Sequence, residues 1–486
     1  MGRETEQSNT IHGSVFRDKP AFVKATRLLH RVLPVSAQRS FRDGAFRAVS
    51  DGGVAVAAGV SAVSRPRLAA RFLSVGMRKE NHRYGEHPRQ VIEVVQPSEE
   101  SRGSAVKGGE NPKLIVFVHG GAWGSGSTWM YRLMVDRLSQ SQLGSAFTVA
   151  SVGYRVYPDA DTTGQVDDLA EAMRWVSGNI GAIGFDRDPE VYLMGHSSGG
   201  HISLLYLIRQ AHEKEAEITA RHHARGLPAM VSASATRGAG GGDGEAGGGR
   251  QLEVEGFIGL AGVYDVHRHY LYESWSRGVH EISPMKAANG GMLHTLFDYS
   301  HPHLLGGLPN RRKHRFKPRS PLAPPPPALR QPHAQRRDEP HAPSALRDPG
   351  VEGAADLAVS GSSHHDGGSS REDEDMRRRG SLRRTLGRRL PRCLVMHGTA
   401  DATVPFSQTA AVASALRVLG VPTTVRFDPG GDHFGMVGQL MFQEESLVEK
   451  AISQFASQTA KDNARHSRAG DAPPPRLAHR QPQPRL

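Results

Sequence analysis

The sequence contains a single cysteine, Cys393, among its 486 residues, and it contains no Asn-x-Ser/Thr glycosylation signal. No internal disulfide can form, so the disulfide-rich secreted scaffolds are excluded. We therefore expect an intracellular location, either cytoplasmic or associated with an endomembrane. The thiol begins the apolar run CLVMHG, which is typical of a buried, unreactive cysteine.

Long apolar runs are missing as well. A membrane-spanning helix needs about 20 consecutive apolar residues. The nearest candidate, GVAVAAGVSAV at 53–63, is short, rich in small residues and bracketed by Asp51 and Arg65. We interpret it as a small packed or targeting segment, while contact with a membrane surface stays open.

Positive charge is abundant, with a formal net charge of +12, but it is unevenly placed. Arginines cluster in RRKHRFKPR (311–319) and RRRGSLRRTLGRR (377–389), within stretches of low hydrophobicity. Such runs are typical of solvated linkers, so no nucleic-acid partner is expected. A basic scaffold that binds nucleic acid or acidic membrane through these stretches remains an alternative.

Apolar runs that end at glycine or proline recur along the chain, as in KLIVFVHGG (113–121), FTVASVGYRVYP (147–158) and EVYLMGHS (190–197). Between them, apolar residues recur at helical spacing, for example at 166, 169, 173, 176 and 180. Alternating strands and helices predict an α/β fold with a mostly parallel sheet flanked by helices.

Composition divides the chain into three parts. Residues 1–80 are predicted to be an N-terminal extension that is partly helical or carries a targeting signal. Residues 81–458 would form the catalytic domain, interrupted at about 214–250 and 307–388 by stretches rich in Gly, Pro and charge. These stretches cannot bury enough apolar surface to offset the entropy of ordering, so we predict disordered insertions there and a disordered tail at 459–486.

The motif G-x-S-x-G stands at Gly195–Gly199, between a predicted buried strand and a predicted helix. This is the context of a nucleophile elbow, a sharp turn that projects the serine hydroxyl above the sheet. Ser197 is therefore predicted to be a nucleophile, and the backbone N–H of Ser198 would face a developing oxyanion.

A serine nucleophile needs a histidine base and an acid that orients it, in the chain order Ser, Asp, His for this kind of sheet. Asp401 follows the predicted strand RCLVMHG, and His433 follows the next one. Asp265 and Asp432 are competing candidates for the acid. The triad predicted here is Ser197, Asp401 and His433.

Donors for the oxyanion are expected in HGGAW (119–123), where two glycines follow a strand. The exposed N–H groups of Gly120, Gly121 and Ala122 fit this role. His119 and His397 lie in strand-end turns and are predicted to be packing or backbone-bonded residues rather than bases. The triad and these donors need no metal and no organic cofactor, so none is predicted.

These motifs resemble those of the α/β-hydrolase superfamily, and within it the hormone-sensitive-lipase-like esterases with an HGG-type oxyanion motif. The segment GVYDVHRHYLYESWSRGVHEISPMKAANGG (262–291) resembles isoprenylcysteine methylesterase-like proteins, which share features with kynurenine formamidases. The resemblance implies triad roles for Ser197, Asp401 and His433, and oxyanion roles for Gly121, Ala122 and Ser198. It also implies a substrate wall made of Trp123, Tyr264, Tyr270, Trp275 and Met285, with ordinary core packing as the alternative for the aromatic residues.

The implied reaction is hydrolysis of the methyl ester of a prenylated cysteine, on a small molecule or a peptide, usually at a membrane surface. Two enzymatic alternatives remain, a kynurenine formamidase-like amide hydrolase and a general short-acyl carboxylesterase. A catalytically silent binding protein on a hydrolase fold is a further alternative.

Overall fold

The computed structural model describes residues 66–98, 111–141, 147–224, 252–278, 280, 283–291, 387–443 and 446–470. The apolar stretch 53–63, most of the predicted 214–250 insertion and nearly all of the 307–388 insertion lie outside these residues.

Eight strands form one sheet in the described part of the chain, in the order β1-β2-β4-β3-β5-β6-β7-β8. The strands are β1 Glu80–Arg83, β2 Val91–Val95, β3 Lys113–Val118, β4 Phe147–Val152, β5 Glu190–His196, β6 Val254–Leu260, β7 Arg392–Gly398 and β8 Thr423–Asp428. The first two strands pair antiparallel, and β3 to β8 are parallel. The predicted mostly parallel α/β sheet is confirmed.

Helices connect the strands. They are α1 Pro66–Arg78, α2 Arg132–Ser139, α3 Thr162–Gly178, α4 Ser198–Ala224, α5 Val266–Tyr272, α6 Met285–Ala288, α7 Ser407–Val418, α8 Gly435–Phe442 and α9 Leu447–Gly470. A 3₁₀ helix at Thr128–Tyr131 and a π-helix at Glu273–Arg277 complete the described elements. None of the helices in the described ranges combines the length and apolar character that crossing a bilayer requires.

Two helices continue into stretches predicted to be disordered. Helix α4 reaches Ala224, ten residues into the predicted 214–250 insertion, and α9 reaches Gly470, inside the predicted tail. The first continuation is rich in Ala and Glu and the second in Ala and Arg, all of which favour helix. A packed first half nucleates each helix, and adding further turns is easier than starting them. Helix therefore continues past residue 214 and past residue 459.

The core lies on both faces of the sheet. Along β3, Leu114, Val116 and Val118 belong to one apolar cluster, whereas Ile115 and Phe117 belong to a second one. Successive side chains of a strand point to opposite faces, so the two clusters cover opposite sides of the sheet. The first cluster includes buried residues of α3, α4 and α7, and the second includes those of α2, α8 and α9. This is the layering of a doubly wound α/β fold.

Parallel strands end at the same edge of a sheet, and ligands of such folds bind outside those carboxyl ends. The turns after β3, β5, β7 and β8 carry the glycine loop 119–123, Ser197, Asp401 and His433, respectively. The topology therefore gathers all of the predicted catalytic side chains at one edge.

Candidate active site

Ser197 occupies the turn between β5 and α4, with a left-handed backbone at φ 54°. A non-glycine residue in this region costs about 1–3 kcal/mol, which the surrounding structure must hold in place. The Ser197 N–H donates to the carbonyl of Leu260 on β6 at 2.9 Å. A Cβ atom on Gly199 would lie 2.2 Å from the carbonyl oxygen of Val118, so the helix can approach the sheet this closely only with glycine there.

A continuous hydrogen-bonded series links the three predicted triad residues. The Ser197 Oγ lies 3.0 Å from His433 Nε2, and His433 Nδ1 lies 2.7 Å from Asp401 Oδ2. Their exposed fractions are 8%, 7% and 7%. With the Nδ1 proton donated to the carboxylate, Nε2 is free to accept the serine proton, which is the tautomer that a general base needs.

Asp401 is held from several sides. Its Oδ1 accepts the N–H groups of Thr403 and Val404, both at 2.8 Å, and its Oδ2 also contacts His397 Nε2 at 3.0 Å. Burial alone would raise the pKa of this carboxyl. The charge of His433 and the hydrogen bonds from His397 and His433 outweigh burial and hold the pKa well below its usual range. The Asp401 carboxylate is therefore ionised at any pH at which His433 acts as a base.

The two competing acids serve other purposes. Asp265 accepts the N–H of Arg268 at 2.9 Å and caps the start of α5. Asp432 accepts the N–H of Phe434 at 3.0 Å. Among the described residues, the carboxylate that contacts the His433 ring is that of Asp401.

His397 contacts the acid of the predicted triad, which its predicted packing or backbone-bonded role did not include. The Thr409 hydroxyl lies 2.7 Å from His397 Nδ1, and Nε2 contacts both Asp401 and the carbonyl of Val404. Because a carbonyl only accepts, Nε2 carries the proton and donates toward the triad acid. The sequence signal for this contact was the spacing of four residues between His397 and Asp401 in HGTAD. The turn after β7 brings Asp401 back against His397.

The glycine loop after β3 is strained in the manner of a ligand-facing loop. Gly121, Ala122 and Trp123 all have positive φ, at 137°, 49° and 61°. In the described part of the chain, no acceptor bonds the N–H groups of Gly121, Ala122 or Ser198. Three backbone donors are therefore free beside the serine, as an oxyanion hole requires.

Gly120 corrects one prediction. Its N–H donates to the Tyr131 hydroxyl at 3.2 Å, inside the protein, and so is not free to bind an oxyanion. A Cβ atom at Gly120 would lie 2.9 Å from the Ser197 Cβ, which shows how closely the loop packs on the elbow. Glycine is required at this position for packing.

Trp123 also differs from its predicted role in the substrate wall. The side chain is 1% exposed, and its indole N–H donates to His201 Nδ1 at 3.1 Å. The Trp123 carbonyl accepts from Gln165 Nε2 and from the Tyr157 N–H, both at 2.8 Å. Trp123 is thus a buried residue that fastens the glycine loop to α3 and α4.

The other four residues of the predicted substrate wall differ in how far their side chains are buried. Tyr264 and Met285 are fully buried in the core, where Tyr264 packs on Gly259 and Gly262, so their predicted substrate contact is wrong. Tyr270 is partly buried, with the Lys286 ammonium over its ring. Trp275, in the π-helix, is 63% exposed and the best placed of the five to meet a ligand. Core and pocket use the same aromatic residue types, so composition could not separate them.

The strand order, the connecting helices and the serine on a strained turn after β5 are those of the α/β-hydrolase fold. Residues 105–233 match the BD-FAE family, and residues 354–461 match the prolyl oligopeptidase family. More particularly, the chain is similar to proteins named isoprenylcysteine alpha-carbonyl methylesterase. It is 31% identical over 128 residues to a probable one from Oryza sativa subsp. japonica and 33% identical over 128 residues to one from Arabidopsis thaliana.

The rice match covers 26% of this chain and 28% of the relative, and the Arabidopsis match covers 26% and 27%. A carboxylesterase of Mycobacterium tuberculosis is 32% identical over 95 residues, 19% of this chain and 28% of its own length. The aligned segments thus span little more than a quarter of these relatives. Among solved structures, esterase B from Lactobacillus rhamnosis aligns with 86% of this chain and 99% of its own, at 15% identity and a TM-score of 0.45.

Proposed function

We propose that this protein is a serine hydrolase that cleaves carboxylic esters. The observation that carries the proposal is the unbroken series from the Ser197 hydroxyl through His433 to Asp401, at 3.0 and 2.7 Å. Strained backbone at the serine and at the glycine loop supports it, because strain is retained where function needs it.

In the acylation step, the Ser197 oxygen attacks the ester carbonyl carbon while its proton passes to His433 Nε2. The carbonyl oxygen becomes an oxyanion that the free N–H groups of Ala122 and Ser198 would stabilise, each such donor contributing about 10²–10³ in rate. Collapse of the intermediate expels the alkoxide, which takes the proton from His433 and leaves as the alcohol. Asp401 stabilises the imidazolium in between and stays ionised.

In the deacylation step, a water molecule gives a proton to His433 Nε2 and attacks the acyl carbon. The second oxyanion uses the same donors. When it collapses, the Ser197 oxygen leaves and recovers its proton from His433, and the free carboxylic acid is released. Nucleophile, base and donors are all side-chain or backbone groups of this chain.

The substrate class that the comparisons favour is the methyl ester of a prenylated cysteine, with methanol as the leaving alcohol. Two of the relatives described above carry this activity in their names. The hydroxyl of Tyr272 bonds the carbonyl of Ala402, the residue after the triad acid, and Trp275, three residues further along, is an exposed apolar side chain. The similarity to a carboxylesterase favours a short-acyl ester as the second candidate.

The test compares farnesylcysteine methyl ester, a short p-nitrophenyl ester and N-formylkynurenine as substrates for the full chain. Ser197→Ala should abolish turnover. Ser203→Ala, which changes a buried serine on α4, the helix that follows the Ser197 turn, should leave turnover intact. Preference for the farnesylated ester supports the methylesterase, whereas preference for the formamide contradicts it. Retained turnover in Ser197→Ala, or no hydrolysis by the wild type, overturns the proposed function.

A further inference from the structure

Two buried side chains join the glycine loop to the loop that carries the base. The Gly120 N–H lies 3.2 Å from the Tyr131 hydroxyl, and that hydroxyl lies 2.9 Å from His196 Nδ1. On its other side, His196 Nε2 lies 3.1 Å from the backbone carbonyl of His433. The chain of contacts runs from one side of Ser197 to the other without touching its hydroxyl.

The Gly120 N–H and the His433 carbonyl stand at the two ends of this hydrogen-bonded series, and they constrain the direction of the bonds between them. A backbone N–H can only donate, and a backbone carbonyl can only accept. In a neutral ring, His196 therefore carries its proton on Nε2 and accepts at Nδ1, and the Tyr131 hydroxyl donates to Nδ1 while accepting from Gly120. Burial lowers the pKa of His196 to about 3, which agrees with the neutral ring that this arrangement needs.

In the part of the chain that the structure describes, the Tyr131 hydroxyl and the His196 ring have no other hydrogen-bond partners. Tyr131 is 5% exposed and His196 is 1% exposed, so water does not compete for either. The Tyr131 ring packs on Phe117 of β3 at 4.9 Å, and the His196 ring lies 5.1 Å from that of His433. Losing one link would leave a buried donor or acceptor unpaired, which favours the linked geometry strongly.

We propose that Tyr131 and His196 are positioning residues that hold the oxyanion donors and the catalytic base in one fixed relation around Ser197. The donors of Gly121 and Ala122 follow Gly120 directly, so fixing Gly120 fixes their direction. The carbonyl that His196 holds belongs to His433 itself. The inference rests on the proposed function, since it assigns parts of the molecule to that reaction.

The first test is Tyr131→Phe, which removes the hydroxyl and keeps the ring. We expect kcat for a p-nitrophenyl ester to fall about 10- to 100-fold, as for small displacements of reacting groups, with KM little changed. Affinity for a trifluoromethyl ketone, which Ser197 would convert to an oxyanion, should fall in parallel. The matched control is Tyr192→Phe, another buried tyrosine, whose hydroxyl contacts Glu190 and Ala456 instead; it should change none of these values.

Two variants of His196 separate its contact with Tyr131 from its contact with the His433 carbonyl. Glutamine keeps a donor near the Nε2 position and loses the acceptor for Tyr131, whereas asparagine keeps the acceptor and loses the donor to His433. Both should lower kcat. Adding Tyr131→Phe to His196→Gln should cost less than the product of the single effects, because the link between them is already broken.

Unchanged kcat and ketone affinity in folded Tyr131→Phe would overturn the proposal, and so would fully multiplicative effects in the double variant. If Tyr131→Phe fails to fold, the His196 variants decide alone. The downfield proton resonance of His433 Nδ1–H gives a readout that needs no turnover, and it should shift in Tyr131→Phe but not in Tyr192→Phe. Were the wild type to cleave no ester, the proposed function would fail while this resonance still tested the positioning.

Discussion

At the scale of single residues, Asp401 is hydrogen-bonded at both of its carboxylate oxygens. Its two oxygens face the N–H groups of Thr403 and Val404 and the rings of His397 and His433. A buried carboxylate with this many donors is both ionised and fixed in direction. That combination is what orients a catalytic histidine, and no equivalent set surrounds Asp265 among the described residues.

Replacing Asp401 with Asn should therefore lower kcat by about 10⁴, because the histidine would no longer be held in the productive tautomer. Asp265→Asn is the matched control, since it removes a carboxylate that caps α5 and leaves the base untouched. Esterase kinetics of the two purified variants provide the measurement. An equal loss in both would show that the acid has been misassigned.

The residue scale also shows where sequence reasoning stops. Ser197 and His433 follow from motif and chain order, whereas Asp401 was one of three candidate acids until the structure placed it against His433. The buried roles of Trp123, Tyr264 and Met285 do not follow, because an aromatic or methionine side chain suits a core and a pocket equally well. The sequence also does not show that the Gly120 N–H is unavailable as an oxyanion donor, because that depends on its bond to Tyr131, eleven residues along the chain.

At the scale of elements, the elbow depends on how closely α4 can approach β3. A methyl group at Gly199 would meet the backbone of Val118, which lies at the rigid centre of the sheet and cannot move aside. The helix start, the strained serine and the free N–H of Ser198 all depend on this approach.

Gly199→Ala should therefore destabilise the fold by about 1–3 kcal/mol, as overpacking does, and reduce activity because Ser197 is displaced. Gly178→Ala at the end of α3 is the control. Nothing in the described structure lies within 4 Å of a Cβ there, so alanine should be neutral or slightly stabilising. Urea unfolding measures both, and an equal effect at the two sites would contradict the packing argument.

At the scale of the whole molecule, two fully buried neutral histidines couple folding to pH. Burial lowers the pKa of His119 to about 4 and that of His196 to about 3. Unfolded histidine has a pKa of about 6.5, so between that value and the folded values the unfolded chain binds more protons. Their contribution to stability is complete above about pH 6.5 and is lost as the pH falls.

We expect the free energy of unfolding to decrease from about pH 6.5 to about pH 4.5 with a slope of about two protons from these histidines. His196→Asn should remove about one proton from that slope, whatever it does to stability at neutral pH. Urea titrations at several pH values measure this. A slope of about one proton would show that one of the two rings is protonated in the folded state, and a flat profile would show that both are.

The sequence by itself determined what depends on local pattern. Hydrophobic periodicity specified alternating strands and helices, and the glycines around Ser197 specified a strand–turn–helix elbow. Chain order then specified the histidine that follows the last strand. The tertiary structure alone decided which carboxylate meets that histidine, which N–H groups stay free, and which aromatic side chains are buried. These outcomes rest on contacts between residues far apart in the chain, such as Tyr131 with His196 at 2.9 Å and Gly199 against Val118, and no local pattern encodes such a distance.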